Sequence, residues 1–143
     1  MHCTPEQVFR EFADPLFTQR IGFGAGSEVE VLYQDARFVS FRTTVARPGG
    51  AAVILEPERI QAPESLTVVT LRRGLAAFRY NIIVDCFTPH ESGTRLTHVD
   101  EFESVTDAAV SDAALHRIRE TTRLFMDTIR TYYDRASTAE SKS

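Results

Sequence analysis

Four side chains in this 143-residue sequence join useful chemistry to a strand-like spacing: Arg59, Tyr80, His98 and Asp100. Alternate residues of an extended chain share a face, which sets Arg59 beside Val53, Leu55 and Pro57. If that stripe points inward the guanidinium does too, and a fixed Arg in a water-poor cavity stabilises developing oxyanion charge. His98 and Asp100 share a face with Leu96 and Phe102, while Thr97, Val99 and Glu101 take the other. An imidazole beside a carboxylate can act as a general base near neutral pH. Tyr80 has the parity of Phe78, Ile82, Val84 and Cys86, against Arg79, Asn81 and Asp85 on the opposite face. That parity predicts an inward phenol able to donate to a carbonyl oxygen. Each residue also has a plainer reading: a salt-bridged strand-end Arg59, a satisfied half-buried His98, a sheet-end ion pair for Asp100, and a core Tyr80 bonded to backbone. Cys86 reads as an inert buried thiol.

These residues must be positioned by elements that the pattern also predicts. Thr4-Pro5-Glu6-Gln7 has the form of a capped helix start, Val8, Phe9 and Phe12 give its apolar face, and Asp14-Pro15 ends it. A second short helix is expected over Leu16 to Ile21, then a glycine-rich loop, Gly22 to Ser27. From Glu28 to Glu103 the period is two, and turn residues divide it into six extended runs: Glu28–Tyr33, Phe38–Ala46, Ala52–Gln61, Leu66–Arg72, Phe78–Phe87 and Thr94–Glu103. Short connections favour an antiparallel meander. After Thr106-Asp107, a helix of about 25 residues lines up Leu115, Ile118, Thr122, Phe125, Ile129 and Tyr132 on one stripe. Its other face carries His116, Arg117, Glu120, Arg123, Asp127, Arg130 and Asp134 and reads as solvated. One domain over residues 1–136 is expected, with Ser137 to Ser143 as a disordered tail.

A twisted antiparallel sheet with one long amphipathic helix is an α+β arrangement in which the sheet curls around the helix. Side chains cannot fill all the space between them, so an apolar pocket opens at one end. Tyr33, Phe41, Leu55, Thr70, Phe78, Val84, Phe102, Thr122, Phe125 and Ile129 are the expected lining.

Composition excludes several functions. With 20 acidic and 16 basic side chains the net charge is −4 and the basic residues are scattered, which leaves no footprint for a nucleic-acid backbone. No apolar run reaches the roughly 18–20 residues of a membrane helix, and Met1-His2-Cys3-Thr4 is no leader, so a cytoplasmic address is expected. Cys3 and Cys86 form no paired-cysteine motif and no metal site is predicted. Gly22-Phe23-Gly24-Ala25-Gly26 lacks the flanking strand and Gly-Lys pair of a nucleotide loop. Lys142 is the one lysine, in the tail, which removes most lysine chemistry. No cofactor is expected.

In order, Thr4-Pro5-Glu6-Gln7-Val8-Phe9 with Asp14-Pro15, Val29-Glu30-Val31-Leu32, Glu58-Arg59 followed by Pro63, and Gly93-Thr94-Arg95-Leu96-Thr97 running into Asp100-Glu101-Phe102 resemble the START-like helix-grip (SRPBCC) superfamily, in its polyketide cyclase/dehydratase and lipid-transport branch. The resemblance covers about Thr4 to Arg135. It implies a curved sheet of six or seven strands around the C-terminal helix. It further implies that Arg59 binds a ketone or enolate oxygen, and Asp100 falls where some members carry a pocket histidine. The sequence departs from the family in three places: only Met1-His2-Cys3 precedes the first helix where an edge strand is usual, Val84 stands at a common tryptophan position, and Leu124 stands where cyclases can carry a helix carboxylate. The implied activity is cofactor-free aldol-type cyclisation or dehydration of a hydrophobic poly-carbonyl compound, with Arg59, His98, Asp100 and Tyr80 as catalytic groups. A carrier or sensor of a hydrophobic small molecule is the rival, and a protein-interaction module a third. The partner is a small molecule in either leading case, without nucleic acid or membrane insertion, and a homodimer is compatible with the chain.

Overall fold

A computed structural model describes residues 1–23, 26–46, 49–73, 78–106 and 110–140. Gly24 and Ala25 of the glycine segment, Asp107 and Lys142, all used in the pattern above, lie outside the described residues. The sequence cues for the first helix act as expected in α1 (Pro5–Ala13): the Thr4 hydroxyl accepts from the Gln7 amide at 3.3 Å and Pro5 opens the helix. Val8, Phe9 and Phe12 are buried along its inner face, and α2 (Phe17–Arg20) follows directly.

Seven antiparallel strands form one sheet: β1 (Ser27–Gln34), β2 (Phe38–Val45), β3 (Val53–Leu55), β4 (Glu58–Ala62), β5 (Thr67–Arg73), β6 (Phe78–His90) and β7 (Gly93–Ser104). Their order across the sheet is β1-β2-β4-β5-β6-β7, with β3 paired to β2 beyond the end of β4. The run expected as one strand from Ala52 to Gln61 is therefore two. Pro57 has no amide hydrogen to give a ladder, and the chain breaks there. At the opposite edge Met1 and Cys3 lie against β7: the Thr94 amide donates to the Met1 carbonyl at 2.8 Å. Gly93 permits this approach, since a Cβ there would sit 2.0 Å from the Met1 oxygen. This segment lies along the β7 edge, where the resemblance implies an edge strand.

The last helix, α3 (Asp112–Glu140), starts later than the sequence pattern places it, with the Ser111 hydroxyl accepting from the Ala114 amide at 3.2 Å. It also runs through residues 137–140, where a tail was expected. Among the described residues no helix is long and apolar enough to cross a membrane. The curved sheet holding a long C-terminal helix, with two short helices near the N-terminus, is the helix-grip arrangement.

The core lies at one end of the grip, where Val8, Phe9, Phe12, Phe17, Val68, Phe87, Ile129 and Tyr133 pack together. Tyr133 is fully buried and its phenol donates to Glu11 Oε2 at 2.9 Å. Burial, and next the bond to Glu11, push this phenol above its ordinary pKa of 10.0. The folded chain then keeps a proton that the unfolded chain releases, so this contribution to stability is complete below pH 10 and declines above it. Tyr133→Phe is expected to cost about 1–2 kcal/mol at neutral pH, through the lost bond to a carboxylate. Urea unfolding of both proteins should show that gap narrowing as pH rises past 10.

Candidate functional site

Beyond that core the sheet and α3 separate, leaving a cavity of about 510 Å³. Register orders its sheet wall in three rows. Nearest the core lie Gln61, Val68, Asp85 and His98; next come Arg59, Thr70, Ile83 and Asp100; outermost are Arg72, Asn81 and Phe102. The facing wall is Phe12, Phe17 and Phe23 with Arg117, Ile118, Thr121, Thr122 and Phe125 of α3. The sheet wall carries the denser set of polar groups, facing a wall in which four phenylalanines are mixed with Arg117, Thr121 and Thr122, and such placed groups orient a ligand.

His98 and Asp85 form a buried pair in this wall. The His98 Nδ1 stands 2.6 Å from Asp85 Oδ1, with side-chain exposures of 9% and 3%. An ionised carboxylate can only accept, so Nδ1 carries the proton and Nε2 is left as the basic nitrogen. Phe125 meets the imidazole edge-on with centroids 6.4 Å apart. The second carboxylate, Asp100, is held separately, by the Asn81 side-chain amide.

Arg59 is fixed from three sides. Its Nε donates to Thr70 Oγ1 at 3.2 Å, and its Nη1 to the Phe12 and Ala13 carbonyls at 3.2 and 3.4 Å. Those carbonyls are the unsatisfied C-terminal end of α1, where a cation is favoured. The guanidinium also lies over the Phe41 ring at 5.2 Å and near Phe12 at 5.9 Å. Burial brings its pKa down from the ordinary arginine range to about 10, against an opposing pull from Asp85, so it remains charged at neutral pH. No carboxylate among the described residues bonds it directly, and its Nη2 has no hydrogen bond among them.

Of the residues expected at the site, Arg59, His98, Asp100, Thr70, Phe78, Phe102, Thr122 and Phe125 line this cavity. Phe41 is buried behind Arg59, and Ile129 lies in the core beneath the chamber. Tyr80, Val84, Tyr33 and Leu55 do not line it. Tyr80 and Val84 sit on the outer face, because Asn81, Ile83, Asp85 and Phe87 are the buried parity of β6. The Tyr80 hydroxyl donates to Glu101 Oε1 at 3.5 Å. Tyr33 is turned outward by a bulge between Val31 and Tyr33, is 54% exposed, and bonds Asp35 at 3.1 Å. Leu55 faces Thr43, on the short β3 away from the chamber. The pairing of His98 with Asp100 is likewise corrected: the imidazole is bonded to Asp85. Cys86, expected inward, is half-buried on the outer face with Thr67 Oγ1 at 3.6 Å.

Asp85, Asn81 and Arg72 are pocket residues that the sequence pattern missed. Their signal was present in the β6–β7 turn. His90 faces Gly93, so counting back sets Asp85 opposite His98, and cross-strand partners share a face. An inward His98 therefore requires an inward Asp85 and an outward Tyr80. Among the described residues no group of three His, Cys, Asp or Glu side chains is placed to hold a metal.

No protein-family model matches the sequence, and no curated protein sequence matches it significantly. Solved structures do share the fold. Ara h 8.0201 superposes with a TM-score of 0.72 at 12% identity, over 91% of this chain and 89% of its own. The ZhuI aromatase/cyclase of Streptomyces sp. R1128 gives 0.69 at 15% identity, over 94% and 88%. The protein TTHA0849 of Thermus thermophilus gives 0.68 at 17% identity, over 99% and 94%. This chain has the START/Bet v1-like helix-grip fold of these proteins.

Proposed function

We propose that the protein is an aldol-type cyclase or dehydratase for a hydrophobic poly-carbonyl compound held in the helix-grip cavity. The observation that carries this reading is the buried Asp85–His98 pair facing an aromatic chamber one row from a guanidinium that no described carboxylate bonds. His98 Nε2 removes a proton from the carbon between two carbonyls. The resulting enolate oxygen is stabilised by Arg59. The enolate carbon attacks a second carbonyl of the same chain, forming the carbon–carbon bond, and protonated His98 returns its proton to the new alkoxide. Loss of that hydroxyl with an adjacent proton releases water and leaves the alkene. Asp85 holds the imidazole tautomer throughout, and Asp100, fixed by Asn81, is the second group able to relay a proton. Bringing the two carbons together in the chamber contributes as much as the proton transfers. An aromatase/cyclase among the proteins of like fold supports this reading.

The rival reading is a carrier, favoured by α3: its lining residues Arg117, Ile118, Thr121, Thr122 and Phe125 include no carboxylate, and Leu124 is 57% exposed. Incubation with a linear aromatic poly-ketone, followed by mass spectrometry, separates the two. A product lighter by one water, formed faster than in buffer, is expected. Stoichiometric binding of unchanged ketone would establish the carrier instead.

A further inference from the structure

The chemistry above does not use Arg72, a charged residue of the sheet wall. Arg72 lies on β5 opposite Asn81, one row beyond Arg59 and away from the core. It lines the cavity and makes no hydrogen bond or ion pair with the described residues. Burial disfavours its charge, and Asp100 and Asp85 act on it only through space. Those carboxylates are already bonded, Asp100 to Asn81 and Asp85 to His98. Asn81 lies opposite it, and Phe78 and Phe102, in ring contact at 4.8 Å, line the same cavity. A half-buried guanidinium lining the cavity, with its donors unspent, is complementary to a planar anion that can take two parallel bonds.

We propose that Arg72 binds a carboxylate of the ligand, so that the cavity selects hydrophobic organic acids over their neutral counterparts. Strand geometry sets the Arg59 and Arg72 backbone positions about 8 Å apart, one strand over and two residues along. A single ligand can therefore present an enolisable carbonyl to Arg59 and its acid terminus to Arg72. The inference rests on the cavity being the ligand pocket proposed above, and it adds the class of compound that enters.

Anthracene-2-carboxylic acid and its methyl ester test it, read by probe fluorescence anisotropy in a protein that has no tryptophan. The unmodified protein is expected to bind the acid at least ~30-fold more tightly than the ester, as for a desolvated charge pair. Arg72→Met is expected to bring the two affinities within ~3-fold while leaving ester binding unchanged. Arg72→Lys keeps the charge but loses the fork, and is expected to retain a preference reduced ~5-fold. Equal binding of acid and ester by the unmodified protein overturns the proposal, as does a full preference surviving in either variant. If Arg72→Met does not fold, the ratios of the unmodified protein and of Arg72→Lys decide. Ester binding without acid preference defeats this inference alone, whereas binding of neither probe defeats the ligand pocket with it.

Discussion

His98→Gln is expected to lower turnover of a cyclisable poly-ketone by ~10³-fold, within the range for a positioned general base, while ligand affinity changes by less than ~3-fold. The separation follows from geometry. His98 is one of many groups lining the chamber, and its Nδ1 is bonded to Asp85 rather than exposed to the chamber. Gln fills similar space and keeps a donor for Asp85, but has no basic nitrogen. Asp85→Asn is expected to cost nearly as much by another route. An amide can donate to Nδ1, which places the imidazole proton on Nε2 and removes the base without moving the ring. Single-turnover kinetics with binding measured in parallel would check both. A His98→Gln protein that keeps about a third of its turnover, far above the loss typical of a missing general base, would remove the residue from the chemistry and leave the cavity a carrier.

Much of the architecture was legible because it depends on local patterns. The Thr4-Pro5 cap, the Asp14-Pro15 stop, the extended runs and the α3 stripe from Ile118 to Ile129 are all set by residues within a few positions of one another. The site was only half legible, and the misses share a cause. Apolar parity points Tyr80 and Val84 inward on β6, yet the cavity wall inverts that preference by burying Asn81 and Asp85 and exposing Ile82 and Val84 partway. Tyr33 was lost to a bulge, which one residue of slippage produces and which periodicity does not report. Arg72 had the parity of Thr70, itself expected inward. What the pattern lacked was the tertiary fact that α3 stands off this end of the sheet and leaves a cavity between them.

Arg59→Met is the second substitution with a large effect, expected to lower kcat/KM by ~10²–10³-fold, as for removal of one oxyanion donor. Its effect on folding is expected to stay below ~2 kcal/mol, because opposing contributions nearly cancel. Holding this guanidinium charged while its pKa is depressed to about 10 costs the folded state about 3 kcal/mol at neutral pH. Against that stand the bonds to Thr70, Phe12 and Ala13, at about 1 kcal/mol each, and the contact with Phe41, at about 1 kcal/mol. Methionine gives up those contacts and removes the charge, and it fills most of the same space. The pH dependence has a definite sign. Arg59 has a lower pKa folded than unfolded, so the unfolded chain binds that proton more tightly and the penalty is complete below about pH 10. Above it the penalty fades, and the unmodified protein should gain stability relative to Arg59→Met as pH climbs from about 10 toward 12.5. Paired urea unfolding at neutral pH and above pH 10 measures this directly. A Met variant destabilised by more than ~4 kcal/mol, beyond the sum of the lost contacts, with its folded fraction still turning over substrate, would make Arg59 a clamp on the end of α1. A stable Met variant without turnover would assign the buried charge to the ligand, since the fold would then have shown that it does not need it.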